Sequence, residues 1–254
     1  FMKTRDEINK IEKEYWNEKK LDRKKIKPLR RHSFFFSYKR EQKLLNMLTK
    51  KFEGKEILEL GSYCWISWFK GRVKPKKLTA INISEVELEK GIEAGKTADF
   101  KTEFHLMDAN DLKFSDESFD VVFGGAILHH LDVEKTLHHV HRVLKPGGFI
   151  VFLEPLNMNP LYKLYRKLNP QERTPDEHAL VSSDLKLLKK YFTFNHYFMD
   201  FFSVITGFIS LKIFGDKNYD NWLNKLGSKL DTLTSKIYFM YPLFARVVVY
   251  GYKK

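Results

Sequence analysis

Short apolar runs alternate with helix-like segments through the middle of the chain. The runs predict β-strands, and the segments between them predict helices with one apolar face. The predicted strands are residues 56–60, 78–81, 104–107, 119–123 and 148–153, and the predicted helices are 85–91 and 133–144. Such alternation is typical of an α/β domain, in which parallel strands are joined by helices on both faces of a sheet. A ligand is then expected at the carboxyl ends of the strands.

The residues before the first strand predict two helices. Residues 5–25 carry an apolar stripe among charges at helical spacing, which comprises Ile8, Ile11, Tyr15 and Trp16. Pro28 is expected to break this helix. A second helix is predicted at 39–51, and Gly54 ends it. The three phenylalanines at 34–36 lie between the two predicted helices.

The pattern loosens after residue 155. Prolines at 160, 170 and 175 predict a loop or lid with a short helix at 162–168. A helix is predicted at 184–191 with Ser183 as its cap, a sixth strand within 192–202 and a last strand at 243–252. Residues 203–240 read as a helical insertion. Its apolar run, 201–213, is too short to span a bilayer.

Composition places these elements in one domain. The chain has 254 residues, of which 43% are hydrophobic, enough for one sizeable core. A single cysteine, Cys64, cannot form an intrachain disulfide, and no secretory signal is visible at the amino terminus. We therefore expect a protein of the reducing cytoplasm.

Positive charge is concentrated near the amino terminus. The formal net charge is +13, and residues 1–43 contain fifteen Lys or Arg against seven Asp or Glu. A basic leader can contact nucleic acid, an anionic membrane or an acidic substrate. A solvated charged helix without a partner explains the same charges.

An ordered series of residues follows the predicted strands. Glu59 and Gly61 end the first strand, Asp108 follows the third, and the pair Gly124 and Gly125 ends the fourth. A Lys-Pro-Gly-Gly turn at 145–148 leads into the fifth strand. Over residues 56–155 this series resembles the class I S-adenosylmethionine (SAM)-dependent methyltransferases, in particular the group acting on small molecules.

The resemblance implies a fold and a cofactor. The fold is α/β, with a doubly wound, mostly parallel seven-stranded sheet that is Rossmann-like. With the sequence pattern on either side, we expect three segments: an N-terminal helical cap at 1–52, a SAM-binding core at 53–155, and a lid, substrate-recognition insertion and last strands of the same domain at 156–254. The cofactor would be S-adenosyl-L-methionine, and the product S-adenosyl-L-homocysteine.

The resemblance also implies cofactor-binding residues. The expected set is Glu59, Gly61, Ser62, Tyr63, Asn82, Ile83, Asp108, Ala109, Gly124 and Gly125. Glu59 would lie near the methionine part, Asp108 would accept from the adenine amino group, and Ala109 would offer a backbone amide. The chain departs from the family at Tyr63 and Trp65, where further glycines are common. It also departs at Asn82, where an acidic residue usually accepts from the ribose hydroxyls.

Histidines are the candidate catalytic residues. His129 and His130 follow the fourth strand, and an imidazole there could deprotonate a hydroxyl or thiol. Either ring could instead serve packing or capping. His178 beside Glu177 is a second candidate, on a loop that could close over substrate. Glu154 is a third, or equally an acceptor for backbone amides.

Five of the nine histidines lie between 129 and 141. Glu134, His138 and His141 would share one helical face. No thiolate partner or second ligand cluster accompanies them, so no metal site is predicted.

The leading functional hypothesis is a SAM-dependent methyltransferase whose acceptor is a small molecule with a hydroxyl, thiol or amine, partly apolar. RNA methylation is the alternative, because of the basic leader. A non-catalytic binding subunit is another, because of Tyr63, Trp65 and Asn82. Methylation of base amino groups is disfavoured, since residues 124–130 lack the Asn or Asp, prolines and aromatic of those enzymes. A peripheral membrane contact stays open, and the sequence gives no indication of the oligomeric state.

Overall fold

The structure is a computed structural model that describes residues 4–18, 28–61, 65–168 and 179–254. Seven strands form one sheet in the order β3-β2-β1-β4-β5-β7-β6. The strands are β1 (Glu56–Leu60), β2 (Lys77–Asn82), β3 (Lys101–Leu106), β4 (Phe119–Gly125), β5 (Leu144–Pro155), β6 (Phe192–Met199) and β7 (Arg246–Lys253). The first five are mutually parallel, and β7 pairs antiparallel with both β5 and β6. The predicted doubly wound, mostly parallel seven-stranded sheet is confirmed.

Helices flank the sheet on both faces. They are α1 (Arg5–Glu18), α2 (Pro28–Thr49), α3 (Trp65–Phe69), α4 (Glu85–Gly95), α5 (Val133–Val143), α6 (Pro160–Leu168), α7 (Ser182–Tyr191), α8 (Phe202–Phe214) and α9 (Trp222–Thr234). Short 3-10 turns lie at Lys50–Phe52, Leu128–His130 and Tyr238–Leu243. Within the described ranges, none of these helices combines the length and apolar character needed to cross a bilayer.

Two apolar clusters cover the two faces of the sheet. On one face, Leu137 and Val140 of α5 and Leu188 of α7 pack with side chains of the strands. On the other, Leu45 of α2 and Phe69 of α3 do the same. Because both faces are covered, the central strands are buried along almost their whole length, which explains their continuous apolar runs.

The largest departure from the sequence prediction lies in α2. The sequence predicted a helix from 39, but the helix begins at Pro28 and runs through the aromatics at 34–36. Proline is well suited to the first helical position, where its missing N–H has no partner to lose. Pro28 therefore starts a helix. The first predicted helix is confirmed for Arg5–Glu18, and residues 19–25 lie outside the described residues.

A second departure concerns the cap of α7. Ser183 was predicted as the cap, but the helix begins one residue earlier, at Ser182. The Asp184 carboxylate accepts the Val181 N–H at 2.8 Å and so holds the first turn. A carboxylate near a helix amino terminus is favoured by the helix dipole.

Candidate functional site

A cavity of about 410 Å³ opens at the carboxyl ends of β1, β2, β3 and β4. It lies where the strand order reverses between β1 and β4, the expected ligand position in such sheets. Seven of the predicted residues line it: Gly61, Asn82, Ile83, Asp108, Ala109, Gly125 and His130. The described lining also includes Asn9, Glu12 and Trp16 of α1, Arg30 of α2, and Met107, Ala126, Ile127 and Leu131.

Two glycines at this edge make room for one side chain. Gly61 has φ of 68°, and a Cβ there would lie 2.7 Å from Ile127 Cδ1. A Cβ on Gly124 would lie 2.5 Å from Ile127 Cγ2. Any larger residue at either position would push Ile127 out of place, so these glycines shape the cavity by letting Ile127 fold over the sheet.

The turn after β4 is held by a buried carboxylate. Ala126 has φ of 56°, and its N–H donates to the Leu153 carbonyl at 2.7 Å. Glu154 Oε1 accepts the N–H groups of Ile127 at 3.0 Å and Leu128 at 2.9 Å. Glu154 therefore has the structural role that the sequence left open.

The two adjacent histidines have different surroundings. His129 is buried, and its Nδ1 lies 2.7 Å from Glu154 Oε2. His130 lines the cavity, and its Nδ1 lies 3.1 Å from Glu12 Oε1. The ring centroids are 4.1 Å apart. When Glu12 is ionised it can only accept, so His130 Nδ1 must donate and Nε2 is the basic nitrogen of the neutral ring.

Asp108 lies at the cavity wall after β3. Its Oδ1 accepts from the backbone N–H and the side-chain amide of Asn110, at 2.8 and 2.7 Å. Its Oδ2 accepts from Asn9 Nδ2 at 2.6 Å. The Asn9 amide thus donates to the oxygen of Asp108 that Asn110 leaves open.

Asn82 and Ile83 line the neighbouring part of the wall, at the end of β2. The Asn82 side-chain oxygen accepts the Ser84 N–H at 2.9 Å. Ser84 in turn caps α4 by accepting the Glu87 N–H. The amide oxygen of Asn82 is therefore shared between the turn and any hydroxyl donor in the cavity.

Some predicted residues stand beside the cavity and not in its described lining. They are Glu59, Gly124 and His129. Glu59 is buried, and burial raises the pKa of its carboxyl to about 8. Trp65 packs into the core with its ring edge against Gly125, so this departure from the family places bulk beneath the cavity floor.

Three predicted residues, Ser62, Tyr63 and His178, lie outside the described residues, as does Glu177. No group of three His, Cys, Asp or Glu side chains that could hold a metal ion occurs in the described parts of the chain.

Helix α1 supplies the site residues that the sequence analysis missed. Asn9, Glu12 and Trp16 lie at helical spacing and face the cavity together. Lys13 and Asn17 tie the same helix to Glu85 of α4, at 2.6 and 3.2 Å. The sequence showed an apolar stripe on this helix but contained no signal for which edge of the sheet it would cover.

Comparison with known proteins finds similarity to methyltransferases. The methyltransferase domain family matches residues 60–152. The dimethylglycine N-methyltransferase of Parasynechococcus marenigrum is 33% identical over 117 residues, which cover 44% of this chain and 42% of that protein. The demethylmenaquinone methyltransferase of Staphylococcus haemolyticus is 39% identical over 99 residues, covering 36% and 40%. The chain thus spans less than half the length of the curated relatives it matches.

One solved structure is similar over almost the whole chain. Geranyl diphosphate C-methyltransferase from Streptomyces coelicolor A3(2) covers 97% of this chain and 98% of its own, with a TM-score of 0.64 and 12% identity. That protein was crystallised with Mg²⁺, geranyl diphosphate and S-adenosyl-L-homocysteine. At such identity the likeness establishes the fold. With the strand order, it shows that the chain has the fold of the class I SAM-dependent methyltransferases, and that residues 60–152, which match the methyltransferase domain family, lie within this fold.

Proposed function

We propose that the protein transfers a methyl group from SAM to a small-molecule acceptor. The observation that carries this proposal is the single cavity that brings together Gly61, Asn82, Asp108 and His130 from four separate segments of the chain. The family whose model matches residues 60–152 is a methyltransferase domain, and the curated relatives are methyltransferases by name, which supports the same activity.

The cavity fits the proposed cofactor in size and chemistry. Ligand sites of this kind have volumes of roughly 300–1,000 Å³, and this one has about 410 Å³. Asp108 would accept from the adenine amino group, and Asn82 would contact the ribose hydroxyls. Gly125, without a side chain, allows close approach to the backbone at the end of β4. When bound, SAM supplies an electrophilic methyl group.

The chain's own contribution is alignment and proton removal. Methyl transfer is an in-line displacement, so holding the acceptor nucleophile in line is the first requirement. His130 Nε2 would accept the proton of an acceptor hydroxyl or thiol, with Glu12 fixing the ring through Nδ1. His129 would act through position, since Glu154 holds its ring in the buried turn beneath.

The acceptor is proposed to be partly apolar, with a hydroxyl, thiol or amine nucleophile. Trp16, Met107, Ile127 and Leu131 give the cavity apolar walls, and Arg30 adds one cation at its edge. The names of the relatives, for dimethylglycine and demethylmenaquinone, span polar and apolar acceptors of small size. A site of action in the reducing cytoplasm fits the single cysteine.

Calorimetric titration of the full chain with SAM, S-adenosylhomocysteine and NAD tests the proposal. Micromolar binding of the first two, without NAD binding, is the expected result, and it justifies a screen of small acceptors with labelled SAM. Absence of binding by both would overturn the proposal in favour of a non-catalytic subunit. Methylation of RNA, with affinity that falls steeply as salt rises, would instead identify the basic leader as part of the acceptor site.

A further inference from the structure

Helices α8 and α9 are packed with their polar sides inward. The buried residues of α8 are Ser203, Thr206, Gly207 and Ser210, and those of α9 are Asn224, Gly227, Ser228 and Asp231. An ordinary surface helix buries its apolar side and exposes its polar one. Both helices therefore have the reverse of the pattern expected against water.

Small residues explain the inward side. A Cβ on Gly207 would lie 2.6 Å from Ser33 Cα of α2, and one on Gly227 would lie 3.0 Å from the Phe202 carbonyl oxygen. The helices α2, α8 and α9 thus approach one another closely through glycine and serine. Packing of this type is common between helices surrounded by lipid, where apolar side chains gain nothing by turning inward.

Large apolar side chains fill the outward side. Ile213 is 64% exposed, Trp222 65% and Leu233 72%, and Phe208 and Leu226 are also exposed. Phe239, in the 3-10 turn that follows α9, is 80% exposed. Trp222, Leu226 and Leu233 recur at helical spacing along one line of α9. Isolated exposed apolar residues are ordinary, whereas a set of this size on two helices that pack together, and on the turn that follows them, indicates a contact surface.

Charge identifies the occupant. Residues 202–240 contain five lysines, at 212, 217, 225, 229 and 236, all exposed, against two exposed aspartates at 216 and 220. Lys229 lies on the same line of α9 as Trp222 and Leu226, and Lys212 Nζ is 4.6 Å from the Phe208 ring centroid. Lysine is depleted at protein–protein interfaces. Lysines interspersed with bulky apolar groups are typical of helices that lie on anionic lipid.

We propose that the outer sides of α8 and α9 bind the surface of an anionic lipid bilayer, with the helices in its plane. Each helix has 13 residues, a length of about 20 Å, too short to cross the hydrocarbon core. Phe208, Ile213, Trp222, Leu226, Leu233 and Phe239, here called the apolar outer set, enter the boundary between headgroups and acyl chains. The lysines pair with lipid phosphates.

The proposed membrane surface is connected to the cavity through α2. Arg30 lines the cavity, and His32, two residues further, contacts Ser210 Oγ at 2.9 Å and the Gly215 carbonyl at 3.1 Å. Two residues along a helix correspond to a rotation of about 200°, so the cavity and the end of α8 lie on opposite sides of α2. The membrane contact does not depend on the proposed methyl transfer.

Co-sedimentation of the full chain with vesicles tests this inference. Vesicles of phosphatidylcholine alone are compared with vesicles containing 30% phosphatidylglycerol. We expect at least tenfold tighter binding to the anionic vesicles and loss of that preference at high salt. The triple variant Ile213→Ser, Trp222→Ser, Leu233→Ser should bind at least tenfold more weakly.

A matched control removes exposed apolar side chains elsewhere. The double variant Met47→Ser, Leu106→Ser changes residues that are 56% and 50% exposed and lie outside α8 and α9, and it should bind vesicles as the unchanged protein does. Circular dichroism checks that both variants fold. Equal binding by the triple variant and the control would overturn the proposal. So would a dimer in solution that the triple variant converts to monomer, because a second copy would then cover this surface.

Discussion

Both oxygens of the Asp108 carboxylate accept hydrogen bonds at the cavity wall. In Asp108→Asn, one oxygen becomes an amide nitrogen that faces a donor, and the proposed charge-assisted contact to adenine is lost. Such contacts contribute about 1.5–3 kcal/mol, so we expect the Kd for SAM to rise roughly tenfold or more. Calorimetry measures this. The control Asp111→Asn alters an exposed carboxylate of the same loop that pairs with Lys113, and its Kd should be unchanged; equal Kd values for both variants would contradict the role of Asp108.

The adjacent histidines should separate into two kinds of defect. His130→Gln removes the proposed proton acceptor, so turnover should fall by roughly 10²-fold or more while SAM binding is retained. His129→Gln disturbs a buried ring bonded to Glu154, so its main effect should be a loss of about 1–3 kcal/mol in unfolding free energy. Denaturant melts and initial rates on the identified acceptor measure the two. His138→Gln, an exposed change, should alter neither, and normal turnover by His130→Gln would refute the base assignment.

Burial raises the pKa of Glu59 to about 8, from an ordinary value of 4.5. Below pH 4.5 the carboxyl is protonated in both the folded and the unfolded chain. Between 4.5 and 8 the unfolded chain loses the proton while the folded chain keeps it, so stability falls as pH rises. Glu59→Gln cannot ionise. From pH 5 to 8.5, the unfolding free energy of Glu59→Gln should therefore rise relative to that of the unchanged protein. Chemical denaturation at each pH measures this difference, and a difference that does not vary with pH would contradict the raised pKa.

Helix α1 covers the cavity, which Asn9, Glu12 and Trp16 line. It is tied down by polar contacts: Asn9 to Asp108, Glu12 to His130, and Lys13 to Glu85. A ligand beneath adds contacts, so amides of residues 5–18 should exchange hydrogen several-fold more slowly with S-adenosylhomocysteine bound. Hydrogen exchange read by mass spectrometry tests this, with α9 as the reference that stays constant. Faster exchange in α1 would mean that the ligand displaces the helix.

The sequence predicts an element well where burial alone determines it. The strands β1 and β4 are apolar because helices cover both their faces, and their positions follow directly. The start of α2 is missed because proline ends one helix and begins another with equal ease. The inward side of α8 is missed for a different reason: Ser203, Thr206 and Gly207 become its buried side only through their close fit to α2 and α9, which no periodicity reports.

Arg246 of β7 connects the sheet to α2. Its guanidinium donates to Glu41 of α2 at 2.6 Å and to Asp200 after β6 at 2.5 Å, and both carboxylates are buried. Arg246→Met leaves them without this cation, so unfolding free energy should fall by about 3–5 kcal/mol. The deficit should shrink as pH falls, because burial raises the pKa of the Glu41 carboxyl and this group then takes up a proton. Lys74→Met, at an exposed 4.0 Å pair, should cost under about 1 kcal/mol in the same denaturant melts.

The sequence predicted the candidate site only where strand ends form its wall. Gly61, Asp108 and Gly125 follow strands whose ends meet by topology, so their grouping follows from the order of elements along the chain. The contribution of α1 depends on where a separate helix docks, and Asn9 or Glu12 have no unusual sequence context. Residue chemistry therefore predicts which strand ends line the cavity, whereas tertiary packing determines which helix covers it.

Helix α1 contacts the cavity at two separate positions, Asp108 and His130. Asn9 bonds to the carboxylate proposed to bind adenine, and Glu12, one turn further, bonds to the proposed proton acceptor. One helix thus contacts both proposed binding positions, so a free energy change that accompanies a movement of α1 affects both of them. If acceptor binding stabilises α1 over His130, it increases the affinity for the cofactor. Linkage requires that the cofactor then increases the affinity for the acceptor by the same factor. Cooperativity between two small ligands would then arise within one chain, without a second subunit.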